Sequence, residues 1–339
     1  MLVLDRVRFP SDTLSTHFFR DPTFRALEHI GMFQEIKILG PALTLIHNVV
    51  DGHEFDEPVK IGEEDSFYLC IRRVTMDEVL VNGLKQLDNV QVREAANVHE
   101  FLSEGITVTG VRWTEGTEIL EATGRVVVGA DGLRSTLASH VNPETERSQK
   151  PQRLMYYAYF ADIAVPQQPA AEFHFQGNAL GYVFPTSEGL TLVALSLPIS
   201  EFNSFKKDPV RSFFSGIQAI PSLVGRFDSA HAASRVLGTG SIPSYQRVPY
   251  GPGWVLVGDA GQVMDPWSGQ GIDQASGHAI MLSESLDAFL SGRASWESAM
   301  SQFHQRRNAF SLKAYQRTTA NAPDLRPMTK AALARRGLA

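Results

Sequence analysis

The sequence predicts an α/β fold interrupted by a mostly antiparallel sheet, and three stretches carry that expectation. Residues 126–135 and 254–272 each run from an apolar, strand-like segment through a Gly/Asp turn into a helix start. A parallel strand that delivers its C-terminal end into a crevice has this order. Between them, residues 155–195 hold successive aromatic and β-branched runs separated by the turn signals Gln176-Gly177-Asn178 and Glu188-Gly189, the pattern of an antiparallel sheet. The chain has 339 residues, 43% hydrophobic and 20% charged, enough for two domains and a sizeable core.

From the N-terminus, Leu2-Val3-Leu4 reads as a strand ended by Asp5. In a dinucleotide-binding βαβ unit an acidic residue ends the second strand, about twenty residues beyond a Gly-rich turn, and binds ribose hydroxyls. No G-x-G-x-x-G occurs here. The expectation is therefore a second-strand end, with the first strand, the phosphate-binding turn and the first helix absent. An edge strand with a surface Asp is the alternative.

Asp21-Pro22 starts a helix, with Asp as N-cap and Pro at the first position, and Phe24, Leu27, Ile30 and Phe33 lie at apolar helical spacing. On the residues alone, His17 and Arg20 read as surface or cap residues. Residues 71–87 predict a helix with Val79, Leu80, Gly83, Leu84 and Leu87 inward. Short strands follow at 90–92, 107–111 and 125–128, a helix at 210–227, a strand at 236–242 and a helix around 296–310. The basic residues Arg306, Arg307, Lys313, Arg317, Lys330, Arg335 and Arg336 read as a solvated helix face.

Bulk properties exclude several functions. A formal net charge of −6 argues against nucleic acid as the main partner, since phosphate binding needs a basic face. The lone Cys70 cannot form an internal disulfide. No apolar run approaches the roughly twenty residues of an integral membrane helix, and residues 1–13 lack the pattern of a signal peptide. A cytoplasmic protein is the expectation. His53, among acidic residues, lacks metal-ligand spacing, so no metal site is expected.

The most informative segment is Gly253 to Ser276. Trp254-Val255-Leu256-Val257 is a buried strand that places Asp259 at its C-terminal end, where a carboxylate accepts charge-assisted hydrogen bonds from hydroxyls. Pro266 fixes the following loop. Gly269 and Gly271 allow close backbone approach. Helix entry at about Ile272 directs free N–H groups and partial positive charge at the same point.

This segment closely resembles the second flavin-binding motif of the FAD-dependent hydroxylases typified by p-hydroxybenzoate hydroxylase. Asp131-Gly132 resembles the Asp-Gly motif of that family. The resemblance covers essentially the whole chain from the second strand onward. It implies a flavin-binding, Rossmann-like domain of the glutathione-reductase type over residues 1–42, 70–150 and 246–300, N-terminally truncated. An inserted, mostly antiparallel substrate domain would occupy 43–69 and 151–245, and a helical tail 301–339.

The resemblance also implies FAD as cofactor, NAD(P)H as transient co-substrate, and O2 with a hydrophobic small organic molecule as reactants. It places Asp5 at the ribose, Arg20 near the cofactor, and Arg72 or Arg73, which compete for one register, at the pyrophosphate or ribityl chain. A backbone contact to adenine falls in the turn near Asn97-Val98. Asp131 and Gly132 would serve both nucleotides, Asp259 the ribityl hydroxyls, Pro266 a flavin edge, and Gly269, Gly271 and Ile272 the ring. Tyr182, Phe184 and Trp267 are candidates on the substrate side. Trp267-Ser268 departs from the smaller residues usual in the family, and no side chain stands out as a catalytic acid or base.

Gly181 to Pro185 resembles the Y-x-W-x-F-P segment of prenyl reductases and flavin halogenases without its Trp, and reduction of isoprenoid double bonds is the second expectation. The W-x-W-x-I-P segment of flavin halogenases is absent. A non-catalytic relic of an FAD-binding protein is the third.

Overall fold

A computed structural model describes residues 1–15 and 17–338. The helices are α1 (Asp21–His29), α2 (Phe33–Lys37), α3 (Arg73–Lys85), α4 (Thr136–Val141), α5 (Phe202–Phe205), α6 (Pro209–Gln218), α7 (Gly271–Leu290), α8 (Trp296–Asn321) and α9 (Arg326–Ala334).

Two short parallel ladders carry the strand ends singled out in the sequence. Leu2–Leu4 pairs with Gln91–Arg93. Val127–Gly129 pairs with Trp254–Leu256, with Val127 opposite Trp254 and Gly129 opposite Leu256. Because the second pair is parallel and in register, the chain leaves both strands at one end, which sets Asp131 and Asp259 side by side. The two ladders are separate sheets. The apolar run at 126–128 predicts a fully buried strand, yet Val128 is 41% exposed. The reason is topological: Val127–Gly129 has a hydrogen-bonded neighbour on one side only.

The large sheet has eight strands. In spatial order they are His231–Ala232, Arg153–Ala161, Thr191–Pro198, Ala179–Pro185, Ala170–Gln176, Leu45–Val50 and His53–Pro58, with Leu237–Thr239 also paired to Arg153–Ala161. Every neighbour is antiparallel except Ala170–Gln176 with Leu45–Val50. Period-two alternation sorts its two faces. Met155, Tyr157, Tyr159, Tyr182, Phe184, Leu192 and Ala194 pack against Phe18, Trp267, Ala322 and Leu325. Leu154, Tyr156, Ala158, Phe160, Val193 and Leu195 pack against Phe205, Phe213 and Ile217 of α5 and α6. Each fully buried large side chain contributes about 1.5–3 kcal/mol by leaving water, so the sheet is anchored on both faces.

Several local expectations change. Arg20 holds the N-cap position of α1 and Asp21 lies inside the first turn, where Asp21 pairs with Arg25 at 3.0 Å. The helix stops at His29; Ile30 is 54% exposed and Phe33 opens α2 instead. Leu87 lies beyond α3 and is 51% exposed, while Met76 supplies the buried contact. The expected turn near Asn97-Val98 is the interior of a strand, Ala96–Glu104, in which Val98 pairs with the buried Trp113 of Thr107–Glu115. Residues 219–227 are not helical beyond a short 3-10 turn. In α8, Arg307 is buried rather than solvated, because its guanidinium donates to the Arg247 carbonyl at 2.8 Å and Asn308 Oδ1 at 2.7 Å.

Candidate cofactor cleft

The Trp254–Leu256 strand ends in a 3-10 turn, Gly258–Ala260, that presents Asp259. The turn needs Gly258, whose φ of +59° is left-handed. Asp259 is exposed to solvent, and among the described residues no group pairs with its carboxylate. The protein mass around it pushes its pKa up to about 6, opposed by the Arg73 charge. Its backbone carbonyl accepts from Tyr245 Oη at 2.6 Å. The same hydroxyl lies 3.4 Å from the Leu133 carbonyl, so Tyr245 ties the two Asp-bearing turns together.

Asp131 is already engaged. Its Oδ2 accepts from Thr136 N at 2.6 Å and Thr136 Oγ1 at 2.9 Å, bracing the first turn of α4, whose N-cap is Ser135. Gly132 follows at φ +75° with open space where a Cβ would sit. Replacing Asp131 with Ala should therefore cost about 0.5–1.5 kcal/mol in stability without any ligand, the net worth of a hydrogen bond; an unchanged urea midpoint would refute that bracing role.

The loop from Asp265 to Gln270 leads into α7. Asp265 Oδ1 accepts from Trp267 N at 3.2 Å and its own N donates to Ser244 Oγ at 3.0 Å. Its Oδ2 is buried without a partner among the described residues, and burial raises its pKa to about 6. An acid held above its unfolded value binds more protons when folded. Its contribution to stability is thus complete only below the unfolded pKa, under about pH 4, and is lost as pH rises through about 6. Asp265→Asn should flatten that decline, read from urea unfolding at pH 4.5 and 7; an unaltered slope would count against it.

Gly269 follows at φ +61°, and a Cβ on Gly271 would meet only open space. At this end of α7 the N–H groups of the first turn point outward, as they must in any helix. What holds this end is a clamp that the sequence reading missed. Asp273, in the first turn and 1% exposed, accepts from Arg20 N at 2.9 Å, Arg20 Nε at 2.7 Å and Thr23 Oγ1 at 2.8 Å. Arg20 Nη2 also donates to the Gly269 carbonyl at 3.2 Å. Arg20 thus joins α1 to the loop and to α7. Pro22 at the start of α1 and the acid two residues beyond Gly271 were the only signals available in the sequence.

Of the other candidates, Arg73 forms a bidentate pair with Asp77, both contacts at 2.7 Å. Arg72 turns the other way, to Glu188 at 2.7 Å, and lies over the Tyr159 ring. Arg73 is therefore the arginine whose charge reaches Asp259. Asp5 accepts from Val7 N at 3.0 Å, and its carbonyl accepts from Ala96 N at 2.8 Å. Asp5 and Val98 thus belong to the Leu2–Leu4 ladder and its neighbouring strand, away from the Asp131–Asp259 pair in the chain's hydrogen bonding. Tyr182, Phe184 and Trp267 are all buried in one cluster. Tyr182 Oη donates to the Trp267 carbonyl at 2.8 Å and Trp267 Nε1 to the Thr318 carbonyl at 3.0 Å. Trp267 seats the loop on the sheet and α8. His17 is fully buried, contrary to a surface or cap placement, because its ring packs on Tyr157 and Tyr159.

Among the described residues no cluster of His, Cys, Asp or Glu could hold a metal, and no helix is long and apolar enough to cross a membrane. The residues present fit a flavin nucleotide. A strand-end carboxylate without a partner among the described residues can accept from hydroxyls, a long helix presents its N-terminus, and Gly132 and Gly271 leave room where side chains would intrude.

Parallel strands ending in Asp131 and Asp259, a Gly-bearing loop at a helix N-terminus and a large sheet against that loop define an α/β flavoprotein with a two-domain fold. The chain belongs to the FAD binding domain family, whose pattern it matches over residues 1–318; this is the p-hydroxybenzoate hydroxylase-type family, and FAD is the cofactor of that family. Digeranylgeranylglycerophospholipid reductase 1 of Methanococcoides burtonii is 24% identical over 248 residues, 72% of this chain and 56% of that protein. The chain thus spans little more than half the length of this relative. Among solved structures, the myxobacterial chondrochloren halogenase CndH has a TM-score of 0.84 at 22% identity, covering 94% of this chain and 76% of that one. PqsL of Pseudomonas aeruginosa, described as a probable FAD-dependent monooxygenase, has a TM-score of 0.77 at 17% identity, covering 95% and 88%. At these identities the structures establish the fold.

Proposed function

We propose that this protein binds FAD and is an NAD(P)H-using monooxygenase of a hydrophobic small organic substrate. The observation that carries the reading is the unpaired Asp259 carboxylate opposite the α7 N-terminus, in a chain of the FAD-binding family. Hydride acceptance and oxygen activation are the chemistry that FAD supplies. The protein's part is to bind, orient and desolvate. Asp259 holds ribityl hydroxyls and Arg73 offsets its charge. The amides of Gly271 and Ile272 and the α7 dipole favour negative charge on the ring edge, and Pro266 with Gly269 shapes the loop against it. Arg20 and Asp273 keep that helix end in place. Asp131 and Gly132 lie beside Asp259 and lend a second contact, while Asp5 and Val98 serve the adenosine end. The aromatic sheet face behind Trp267 excludes water.

The similarity to a digeranylgeranylglycerophospholipid reductase supports a second reading, reduction of isoprenoid-type double bonds. Purified protein given FAD and separated from the excess should retain flavin absorbance; a colourless product overturns both readings. With flavin retained, NAD(P)H consumption that requires O2 and yields oxygenated product supports the first, and anaerobic reduction of an isoprenoid supports the second.

A further inference from the structure

A cavity of about 400 Å3 opens on the face of the large sheet that α5 and α6 cover, opposite the face that carries Trp267. Ala158, 1% exposed, forms its floor. Pro209, Val210 and Phe214 of α6 line one side, and Arg235 and Val236 the other. Val210 is 53% exposed and Arg235 is exposed, so both stand at the mouth.

The sequence makes this opening in two ways. Tyr156, Ala158 and Phe160 follow one another on one face of the strand Arg153–Ala161, as period-two alternation requires. Tyr156 packs on Phe205 with centroids 4.5 Å apart, and Phe160 meets Phe214 edge-on at 6.1 Å. Ala158 lies between them with only a methyl group, so the two aromatic pairs stand apart over a gap. The neighbouring chain also breaks its pairing at this level. His231–Ala232 pairs with Phe160 and Ala161, and Leu237–Thr239 with Met155 to Tyr157. Residues 233–236 bulge away between them. Ala233 N still donates to the Tyr159 carbonyl at 2.8 Å, but Tyr159 N donates to the Ser234 hydroxyl at 3.0 Å in place of a backbone carbonyl.

The chemistry of the lining selects the ligand. The Ser234 hydroxyl is engaged, accepting from Tyr159 N and donating to the Arg235 carbonyl at 3.0 Å. Arg235 is the one charged side chain among the described lining residues, and no described carboxylate pairs with it. Asp208, next to Pro209, accepts from Arg211 N at 3.1 Å as the cap of α6 and does not line the cavity. The volume lies within the range of small-molecule sites, about 300–1,000 Å3. Hydrocarbon gains by leaving water for such a lining, whereas a peptide would bury amide groups against it at a cost. A free guanidinium at the mouth matches a carboxylate head with two parallel N–H donors.

We propose that this cavity is a second ligand site, for a single-chain aliphatic carboxylate whose chain lies against Ala158 and Phe214 and whose head meets Arg235. The sheet separates it from the cofactor loop, and the proposal does not rest on the flavin reading. Decanoate is the probe and decanol its uncharged counterpart, titrated calorimetrically into the protein with and without FAD. Decanoate should saturate one site, and octanoate should bind more weakly by about fourfold for each methylene withdrawn from the cavity. Arg235→Ala should weaken decanoate roughly three- to fivefold, the upper part of the range for an exposed ion pair, and leave decanol unchanged. Ala158→Leu fills the gap between the aromatic pairs and should abolish binding of both probes while the urea midpoint holds or rises. Val210→Glu, at an exposed position where folding is not at stake, puts a carboxylate at the mouth and should weaken decanoate at least as much as Arg235→Ala. No saturable binding, affinity independent of chain length, or decanoate binding indifferent to Arg235 and Val210 overturns the proposal. Concentration-dependent dimerisation that Val210→Glu abolishes also overturns it, by making the cavity a contact between two copies of this chain. A protein that takes decanoate and stays colourless with FAD keeps this site and loses the flavin reading; one that retains flavin and ignores decanoate does the reverse.

Discussion

Arg20→Ala is expected to lower the stability of the protein by about 3 kcal/mol, the lower end of the range for breaking a buried ion pair. Asp273 is 1% exposed and Arg20 Nε, at 2.7 Å, is its charge partner. Removing the guanidinium leaves a carboxylate that cannot be hydrated. The backbone N–H of residue 20 and the Thr23 hydroxyl still hold Oδ1, which keeps the loss from being larger. The double change Arg20→Ala with Asp273→Asn should recover part of it, because the stranded charge is gone. Urea unfolding of the three variants checks this. A shift below about 0.5 kcal/mol, typical of an ordinary surface change, would show that the pair does not hold α1 to α7.

The second large effect falls on the ligand. Asp259→Ala is expected to weaken FAD binding roughly ten- to a hundredfold, the worth of one or two hydrogen bonds to a charged acceptor. Stability without ligand should fall little or rise, since this carboxylate has no partner among the described residues and its pKa is already raised to about 6 by its surroundings. Fluorescence titration of the flavin and a urea midpoint, measured on the same variant, separate the two effects. Unchanged affinity would remove Asp259 from the site. A large loss of stability alone would recast it as a folding residue.

Asp259 and Asp131 were legible because strand, turn and helix are local in sequence: an apolar run, then Asp and Gly, then a helical pattern. The Gly269 to Ile272 helix start was legible for the same reason. The sheet at 155–195 announced itself through period-two alternation of aromatic and β-branched residues. What remained hidden is non-local. Arg20 and Asp273 are 253 residues apart, and neither has a neighbour in sequence that betrays the other. His17 looked like a surface residue because a histidine before an aromatic pair has no periodic signature; only the arrival of Tyr157 and Tyr159 buries it. Arg72 and Arg73 are indistinguishable in sequence. The backbone direction at the start of α3 sends one to Glu188 and Tyr159 and the other to Asp77.

The amino-acid sequence by itself determined the α/β class, the aromatic sheet and the two Asp-bearing turns, because each follows from propensity and pattern within about ten to twenty residues. The tertiary structure decided which polar groups are free. Packing of the sheet against the loop seals Tyr182, Phe184 and Trp267 into the core. The first turn of α4 engages one carboxylate oxygen of Asp131 and a buried ion pair consumes Arg20. Among the described residues Asp259 is left unpaired, and His17 Nδ1 and Arg72 Nε are buried without partners. Availability of a charge or a proton depends on what else is folded against it, and that information is spread over the whole chain.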